Sequence, residues 1–152
     1  MSEEQAWPDL SGRLTADGSH VLPVRIYYED TDAIGIVYHS NYLRFMERGR
    51  SDFLKLRGVG HIGLTSDDGD RLAFVVRHMD IEFQGSARLD DVITVVTRVL
   101  ELTAVRLILV QEARRRAEVL TTARVTIVLV DRAGRPRRIP QVLKRALTDP
   151  IV

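Results

Sequence analysis

The stretch YYEDTDAIGIVYHSNY, residues 27–42, combines side chains capable of acid–base chemistry with a predicted helix start. Three carboxylates lie within four positions, at Glu29, Asp30 and Asp32, and His39 follows. A carboxylate can act as a general base or as a nucleophile on an electrophilic carbon. The first N–H groups of a helix are unpaired and carry partial positive charge, so they can stabilise an oxyanion. This stretch therefore holds the two kinds of group that hydrolysis of a carbonyl compound requires.

The same carboxylates also have a simpler interpretation as turn residues, because Asp side chains commonly bond the backbone of a turn. We assign Glu29 and Asp30 that role, and for Asp32 the spacing by itself leaves the turn role and a chemical role open. Glu47 lies on the predicted helix, where the arginines around it favour an ion-paired face.

Hydrophobic periodicity places this stretch between a strand and a helix. Residues 21–28 alternate, so that Val24, Ile26 and Tyr28 share one face, and the Tyr28 ring should point inward. A helix is predicted from about Asn41 to residue 57, followed by a glycine. Gly49 in its middle weakens a helix, so we expect another element to pack closely there.

Long β-branched runs dominate the rest of the chain. Four further strands are predicted: AFVVRHMDIEF, DVITVVTRVLEL, VRLILVQEARRR and VLTTARVTIVLVD. A turn at 131–134 and a short helix, PQVLKRAL, follow them. Consecutive strands without intervening helices indicate an antiparallel sheet and the α+β class. One helix cannot cover both faces and both edges of a five-stranded sheet, which favours a partner subunit.

Composition limits the function classes further. The 152 residues predict a flexible tail over 1–20 and a single domain over 21–150. A net charge of +1 gives no reason to expect nucleic acid, and no apolar run is long enough for a membrane span. The absence of cysteine excludes disulfides and thiol chemistry and suggests a cytoplasmic protein. We interpret His20, His61 and His78 as tail, loop and exposed strand, without a metal site.

Two blocks of the sequence resemble a known family. They are VRIYYEDTDAIGIVYHSNYLRFMERGRSDFLKLRG and AFVVRHMDIEFQGSARLDD. They are similar to the hotdog-fold acyl-CoA thioesterases of the 4-hydroxybenzoyl-CoA thioesterase family, and most of all to its Tol–Pal system-associated branch. The family pattern D-x-D-x-x-G, aromatic-His and N-Y is filled by Asp30, Asp32, Gly35, Tyr38, His39, Asn41 and Tyr42. Two positions differ from the family. Ser86, in the second block, stands where a proline is expected, and Ile34, in the first block, stands where glycine is common.

The resemblance implies a hotdog fold, in which a curved antiparallel five-stranded sheet wraps around one long helix. It implies hydrolysis of acyl-CoA to a free acid and CoA, with Asp32 as general base or nucleophile and the helix start at His39 stabilising the oxyanion. Tyr28 is a third candidate catalytic residue. Glu47 is an alternative catalytic acid, since some hotdog thioesterases carry that acid on the helix. No cofactor is implied, since CoA is part of the substrate.

Substrate binding is implied for Gly35, Tyr38, Tyr42 and Arg88, with Arg88 contacting a CoA phosphate. The arginines at 114–116 and 135–138 are alternatives for that contact.

The resemblance also implies a homodimer or homotetramer with active sites at the subunit interface. Acyl carrier protein is an alternative carrier of the acyl group. The alternative function is a non-catalytic or weakly catalytic scaffold that binds acyl groups or proteins of envelope and phospholipid biogenesis. A carboxylate just before the helix start favours the enzyme.

Overall fold

A computed structural model describes residues 9–60, 64–66 and 68–150 of the chain. This part contains seven strands and two α-helices: β1 (Arg13–Leu14), β2 (His20–Arg25), α1 (Asn41–Leu56), β3 (Ala73–Phe83), β4 (Val92–Leu102), β5 (Leu107–Arg115), β6 (Glu118–Val130), β7 (Pro136–Arg137) and α2 (Gln141–Thr148). A 3-10 helix, Tyr28–Asp30, lies between β2 and α1. None of the described helices combines the length and the apolarity that crossing a membrane requires.

The strands form one antiparallel sheet in the order β1-β2-β4-β5-β6-β3, and β7 pairs with β6. The predicted α+β class and the five main strands are therefore confirmed. The two extra strands have two residues each, too short for an alternating pattern to show. The predicted turn at 131–134 and the short final helix are also present.

Helix α1 packs its apolar face against this sheet. Six residues of that face are buried: Tyr42, Phe45, Met46, Gly49, Phe53 and Leu54. A Cβ atom on Gly49 would lie 2.8 Å from Cγ1 of Val95 on β4. The close packing expected at this glycine is confirmed, and the missing side chain lets the helix approach the sheet directly.

A buried polar contact fixes the helix relative to the sheet. The Gln111 side-chain amide on β5 donates to the carbonyl oxygen of Met46 and to Oγ1 of Thr97, both at 2.9 Å. Nη1 of Arg50 donates to the other end of the amide, Oε1, at 3.0 Å. Because the polar atoms of this amide are paired, the burial of Gln111 costs little free energy.

The N-terminal region differs from its prediction, since β1 and the first residue of β2 lie within the segment 1–20 expected to be a flexible tail. His20 is fully buried rather than part of a tail, and its Nε2 lies 2.6 Å from Oδ2 of Asp52 on α1. The same carboxylate oxygen accepts the backbone N–H of Gly12 at 2.7 Å. A buried polar pair of this kind depends on residues distant in sequence, so local composition did not reveal it.

The other two histidines have different outcomes. His78 is exposed on β3, as predicted, and its Nε2 lies 3.2 Å from Oδ1 of Asp80. The predicted loop position of His61 lies outside the described residues.

Strand β3 lies at one end of the sheet, and its outer edge has no strand partner among the described residues. It is 11 residues long. Val75, Val76 and Phe83 on this strand are 40%, 47% and 43% exposed. A long edge with exposed apolar side chains is a surface that proteins usually cover.

Candidate active site

A tight turn presents Asp32. Thr31 pairs with Val37, and the backbone N–H of Asp32 donates to the carbonyl of Ile36 at 2.8 Å. The N–H of Gly35 donates to the carbonyl of Asp32 at 3.1 Å. Gly35 has a φ of 82°, a conformation that glycine adopts without steric cost. Glycine at this position therefore lets the backbone close the turn.

The Asp32 carboxylate is exposed to solvent at this turn. Its Oδ1 accepts the backbone N–H of Ile34 at 3.0 Å and, more weakly, that of Ile36 at 3.4 Å. Within the described ranges, Oδ2 accepts no hydrogen bond from any protein donor. One carboxylate oxygen is therefore oriented by the turn while the other can meet a water or a carbonyl carbon.

Asp30 links this turn to the helix start. Its Oδ2 accepts the backbone N–H of Tyr27 at 2.8 Å, and its carbonyl accepts the N–H of Tyr38 and Nδ2 of Asn41, both at 2.9 Å. These bonds fit the turn role expected for Asp30 and leave Asp32 as the more accessible acid. They also hold the Asp32 turn beside the first residue of α1.

Free donors lie just before α1, whereas the first three N–H groups of the helix itself donate to the carbonyls of residues 38–40. Neither the N–H of His39 nor that of Ser40 donates a hydrogen bond to any residue the structure describes, and the Ser40 side chain does not cap the helix. Unpaired N–H groups at a helix start attract an anionic oxygen.

Aromatic rings surround His39. Its ring centroid lies 4.6 Å from that of Tyr38 and 5.8 Å from that of Phe83, with the Phe83 ring nearly perpendicular at 86°. Tyr38 and Phe83 are about half exposed, so their rings offer an apolar wall beside the helix start. Sequence reasoning missed Phe83 as a site residue. Its position at the end of the alternating AFVVRHMDIEF strand was the available signal.

Tyr42 lies beneath this wall and is 2% exposed. Its hydroxyl accepts the backbone N–H of Ala87 at 2.9 Å, and burial raises the pKa of Tyr42. The carbonyl of Ala87 in turn accepts the N–H of Val37 at 2.9 Å. The structure therefore places Tyr42 as a support for the site wall, below the surface where substrate contact was expected.

Arg88 lies beside the turn, because its backbone pairs with Ile36. Its side chain is exposed and forms no ion pair within the described residues.

Several alternative arginines already have carboxylate partners. The pairs are Arg114 with Glu112, Arg115 with Asp91 and Glu118, Arg135 with Asp131, and Arg137 with Asp68, Asp70 and Asp131. Arg88 therefore keeps more of its charge available for a phosphate than those four.

The placement predicted for Tyr28 is wrong. Strand β2 ends at Arg25, and Tyr28 begins the 3-10 helix with 83% of its surface exposed, so its ring does not point inward. The physical reason is the Asp30 side chain, which bonds the Tyr27 N–H and turns the chain out of the strand. Glu47, the alternative acid, is exposed on α1.

Tyr42→Phe should lower the free energy of unfolding by about 1–3 kcal/mol, because the Ala87 N–H loses its acceptor in a buried position. Urea denaturation would measure the change. Tyr28→Phe is the matched control, since that hydroxyl is on an exposed ring, and should leave the midpoint unchanged. Equal midpoints for both variants would contradict the supporting role of Tyr42.

Comparison with known proteins identifies relatives of this chain. Residues 27–147 match the model of the Thioesterase-like superfamily. The acyl-CoA thioesterase YbgC of Haemophilus influenzae is 37% identical over 131 residues, which cover 86% of this chain and 95% of that protein. The acyl-CoA thioester hydrolase YbgC of Escherichia coli O6:H1 is 38% identical over 121 residues, covering 78% and 88% of the two chains.

A solved structure gives the same result for the fold. The crystal structure of a probable thioesterase from Bartonella henselae superposes with a TM-score of 0.76 at 42% identity. It covers 80% of this chain and 99% of that one. The predicted hotdog fold is confirmed, while the relation to the Tol–Pal system stays a prediction. Because the family model spans residues 27–147 and the Haemophilus influenzae relative is 37% identical over most of both chains, this protein belongs to the Thioesterase-like superfamily.

Proposed function

We propose that this protein is an acyl-CoA thioesterase that uses Asp32 as its catalytic carboxylate. The observation that carries the proposal is the open oxygen of Asp32, on a turn that Asp30 bonds to Tyr38 and Asn41, together with the N–H groups of His39 and Ser40, which have no partner among the described residues. The names of the matched relatives, acyl-CoA thioesterase and thioester hydrolase, support the same substrate class.

The reaction follows from those two groups. The thioester oxygen lies against the N–H of His39, which stabilises the negative charge as the carbonyl carbon becomes tetrahedral. In one route Asp32 accepts a proton from a water that attacks this carbon; the C–S bond breaks, and the proton passes to the CoA thiolate. In the other route Asp32 attacks the carbonyl carbon, the C–S bond breaks and CoA leaves as the thiolate. Water then cleaves the mixed anhydride, which regenerates the Asp32 carboxylate, releases the acid and supplies the proton that the thiolate takes up.

The two ends of the substrate meet different surfaces. The rings of Tyr38 and Phe83 provide an apolar wall for the acyl group. The CoA nucleotide carries phosphates. The Arg88 guanidinium, which pairs with no carboxylate in the described part of the chain, can bind one of them through charge-assisted hydrogen bonds. Acyl carrier protein stays a predicted alternative carrier, since its thioester presents the same reacting atoms.

A second copy of this chain is the partner we propose for the free edge of β3. Pairing along that edge would satisfy its backbone groups and cover Val75 and Val76. It would also bring a second chain to Phe83 at the end of the strand, beside the site. Assembly into a tetramer and the cytoplasmic location stay predictions.

Asp32→Asn should reduce turnover on the order of 10²-fold or more, because the amide keeps the shape of the carboxylate but is neither base nor nucleophile. Release of free thiol from a panel of acyl-CoAs measures it. Glu29→Gln, a nearby exposed carboxylate, is the matched control and should retain turnover.

Near wild-type turnover of Asp32→Asn would move the catalytic role to Glu47, which Glu47→Gln would then test. If the wild-type protein binds acyl-CoA but releases no thiol, the scaffold alternative replaces the enzyme.

Arg88→Ala should raise the KM for acyl-CoA several-fold and leave kcat little changed, because a phosphate contact is equal in the ground and transition states. An acyl N-acetylcysteamine thioester, which lacks the nucleotide, should react as with wild type. Arg124→Ala is the control and should leave both reactions unchanged, since Arg124 is also exposed and is not among the arginines considered for this contact. An equal loss of kcat/KM on both substrates would mean that Arg88 supports the structure and does not bind a phosphate.

The purified protein should have at least twice the 17.2 kDa mass of one chain at micromolar concentration. The reason is the uncovered edge of β3, whose backbone groups are satisfied by pairing. Multi-angle light scattering measures this mass, with the guanidinium-unfolded chain as the monomer reference. A native mass of one chain would rule out pairing along β3.

A further inference from the structure

Arg115 is the last residue of β5 and makes three contacts through its guanidinium group. Nη1 donates to Oδ2 of Asp91 at 2.9 Å and to the carbonyl of Ser86 at 3.2 Å. Nη2 donates to Oε2 of Glu118 at 2.8 Å. The first two contacts hold both ends of residues 86–91, within the β3–β4 connection, residues 84–91. We call these two contacts the Arg115 clamp.

The middle of the β3–β4 connection is in direct contact with the site. The carbonyl of Ala87 accepts the N–H of Val37, and Arg88 pairs with Ile36. Ile36 in turn accepts the backbone N–H of Asp32. The Asp32 turn is therefore positioned by a segment that the Arg115 clamp secures from the other side.

Asp91 joins the clamp to the site. Its Oδ2 accepts both the Arg115 guanidinium and the backbone N–H of Arg88, the latter at 2.8 Å. The Arg88 N–H and the Arg115 side chain together lower the pKa of Asp91, so the carboxylate stays ionised. The Arg115 and Asp91 side chains are only 31% and 27% exposed, so solvent screens this contact less than a fully exposed ion pair.

Toward β2 and α1 the connection is held by other bonds, since Asp90 and Asp91 pair with Ile26 and the Ala87 N–H donates to Tyr42. The side that faces β5 and β6 has fewer constraints. Gly85 and Ser86 stand immediately before Ala87, and neither restricts its backbone as a proline would. The N–H groups of Gln84 and Gly85 bond the carbonyl of Leu120, which secures only the start of the connection. From Ser86 to Asp91 the Arg115 clamp connects the segment to the hairpin formed by β5 and β6.

We propose that Arg115 is a positioning residue for the thioesterase reaction, acting through Asp91 and Ser86 on the Asp32 turn. The inference rests on the proposed function. It assigns Arg115 an indirect effect on kcat instead of a contact with a CoA phosphate.

The test compares Arg115→Met with wild type on acyl-CoA and on the acyl N-acetylcysteamine thioester. Methionine keeps much of the side-chain length and removes both donors. We expect kcat to fall about 10-fold on both substrates, because the displaced turn serves both reactions and small misplacements of catalytic groups are costly. Arg115→Lys should recover part of the loss, since an ammonium can replace one arm of the fork.

Glu118→Gln is the matched control. It weakens the third contact of Arg115 and leaves the clamp in place, so kcat should stay at the wild-type value. A loss in Glu118→Gln equal to that in Arg115→Met would contradict a role through the connection.

Two other outcomes would overturn the inference. A higher KM for acyl-CoA alone, with unchanged kcat, would mean that Arg115 binds the nucleotide. A lower melting temperature with unchanged kcat for the folded protein would make Arg115 purely structural. If Arg115→Met does not fold, Arg115→Lys and Asp91→Asn, assayed below their melting temperatures, provide the same comparison.

Amide hydrogen exchange gives a readout that does not depend on activity. The Val37 N–H, which is bonded to Ala87, should exchange faster in Arg115→Met and at the wild-type rate in Glu118→Gln. Unchanged exchange in Arg115→Met would show that the clamp does not reach the turn. If wild type releases no thiol, the proposed function fails, whereas the exchange result still decides whether Arg115 orders this segment.

Discussion

The contact of α1 with the sheet at Gly49 governs the position of the whole site. Because no side chain separates the helix from Val95, the helix axis lies close to β4, and Gln111 then bonds both Met46 and Thr97. This contact sets where the helix begins, and Tyr42 in its first turn reaches Ala87 as a result. The free N–H groups at the helix start therefore depend on packing more than two turns further along the helix.

The elements with strong periodicity could be predicted from sequence, and those decided by single polar contacts could not. Helix α1 and strand β3 match their predicted ranges closely, since 3.6-residue and two-residue patterns are visible in any long amphipathic segment. Strand β2 ends early because one Asp30 side chain bonds a backbone N–H. His20 is buried because its side chain forms a hydrogen bond with Asp52, which lies on α1.

The candidate site shows the same division. The order of Asp32, Gly35 and His39 along the chain was readable, because a turn and a helix start are local features. The different roles of Arg88 and Arg115 could not be predicted from the sequence. Whether an arginine is free or paired depends on the hairpin register that brings Asp91 and Glu118 to β5, and no spacing in the sequence encodes that register.

Phe83 belongs to two surfaces at once. It is the last residue of the uncovered strand β3, and its ring contacts His39. Any strand added along that edge would end beside this ring and restrict its motion. Association and order at the helix start would then be thermodynamically linked, so dilution would loosen the same ring that borders the reacting group.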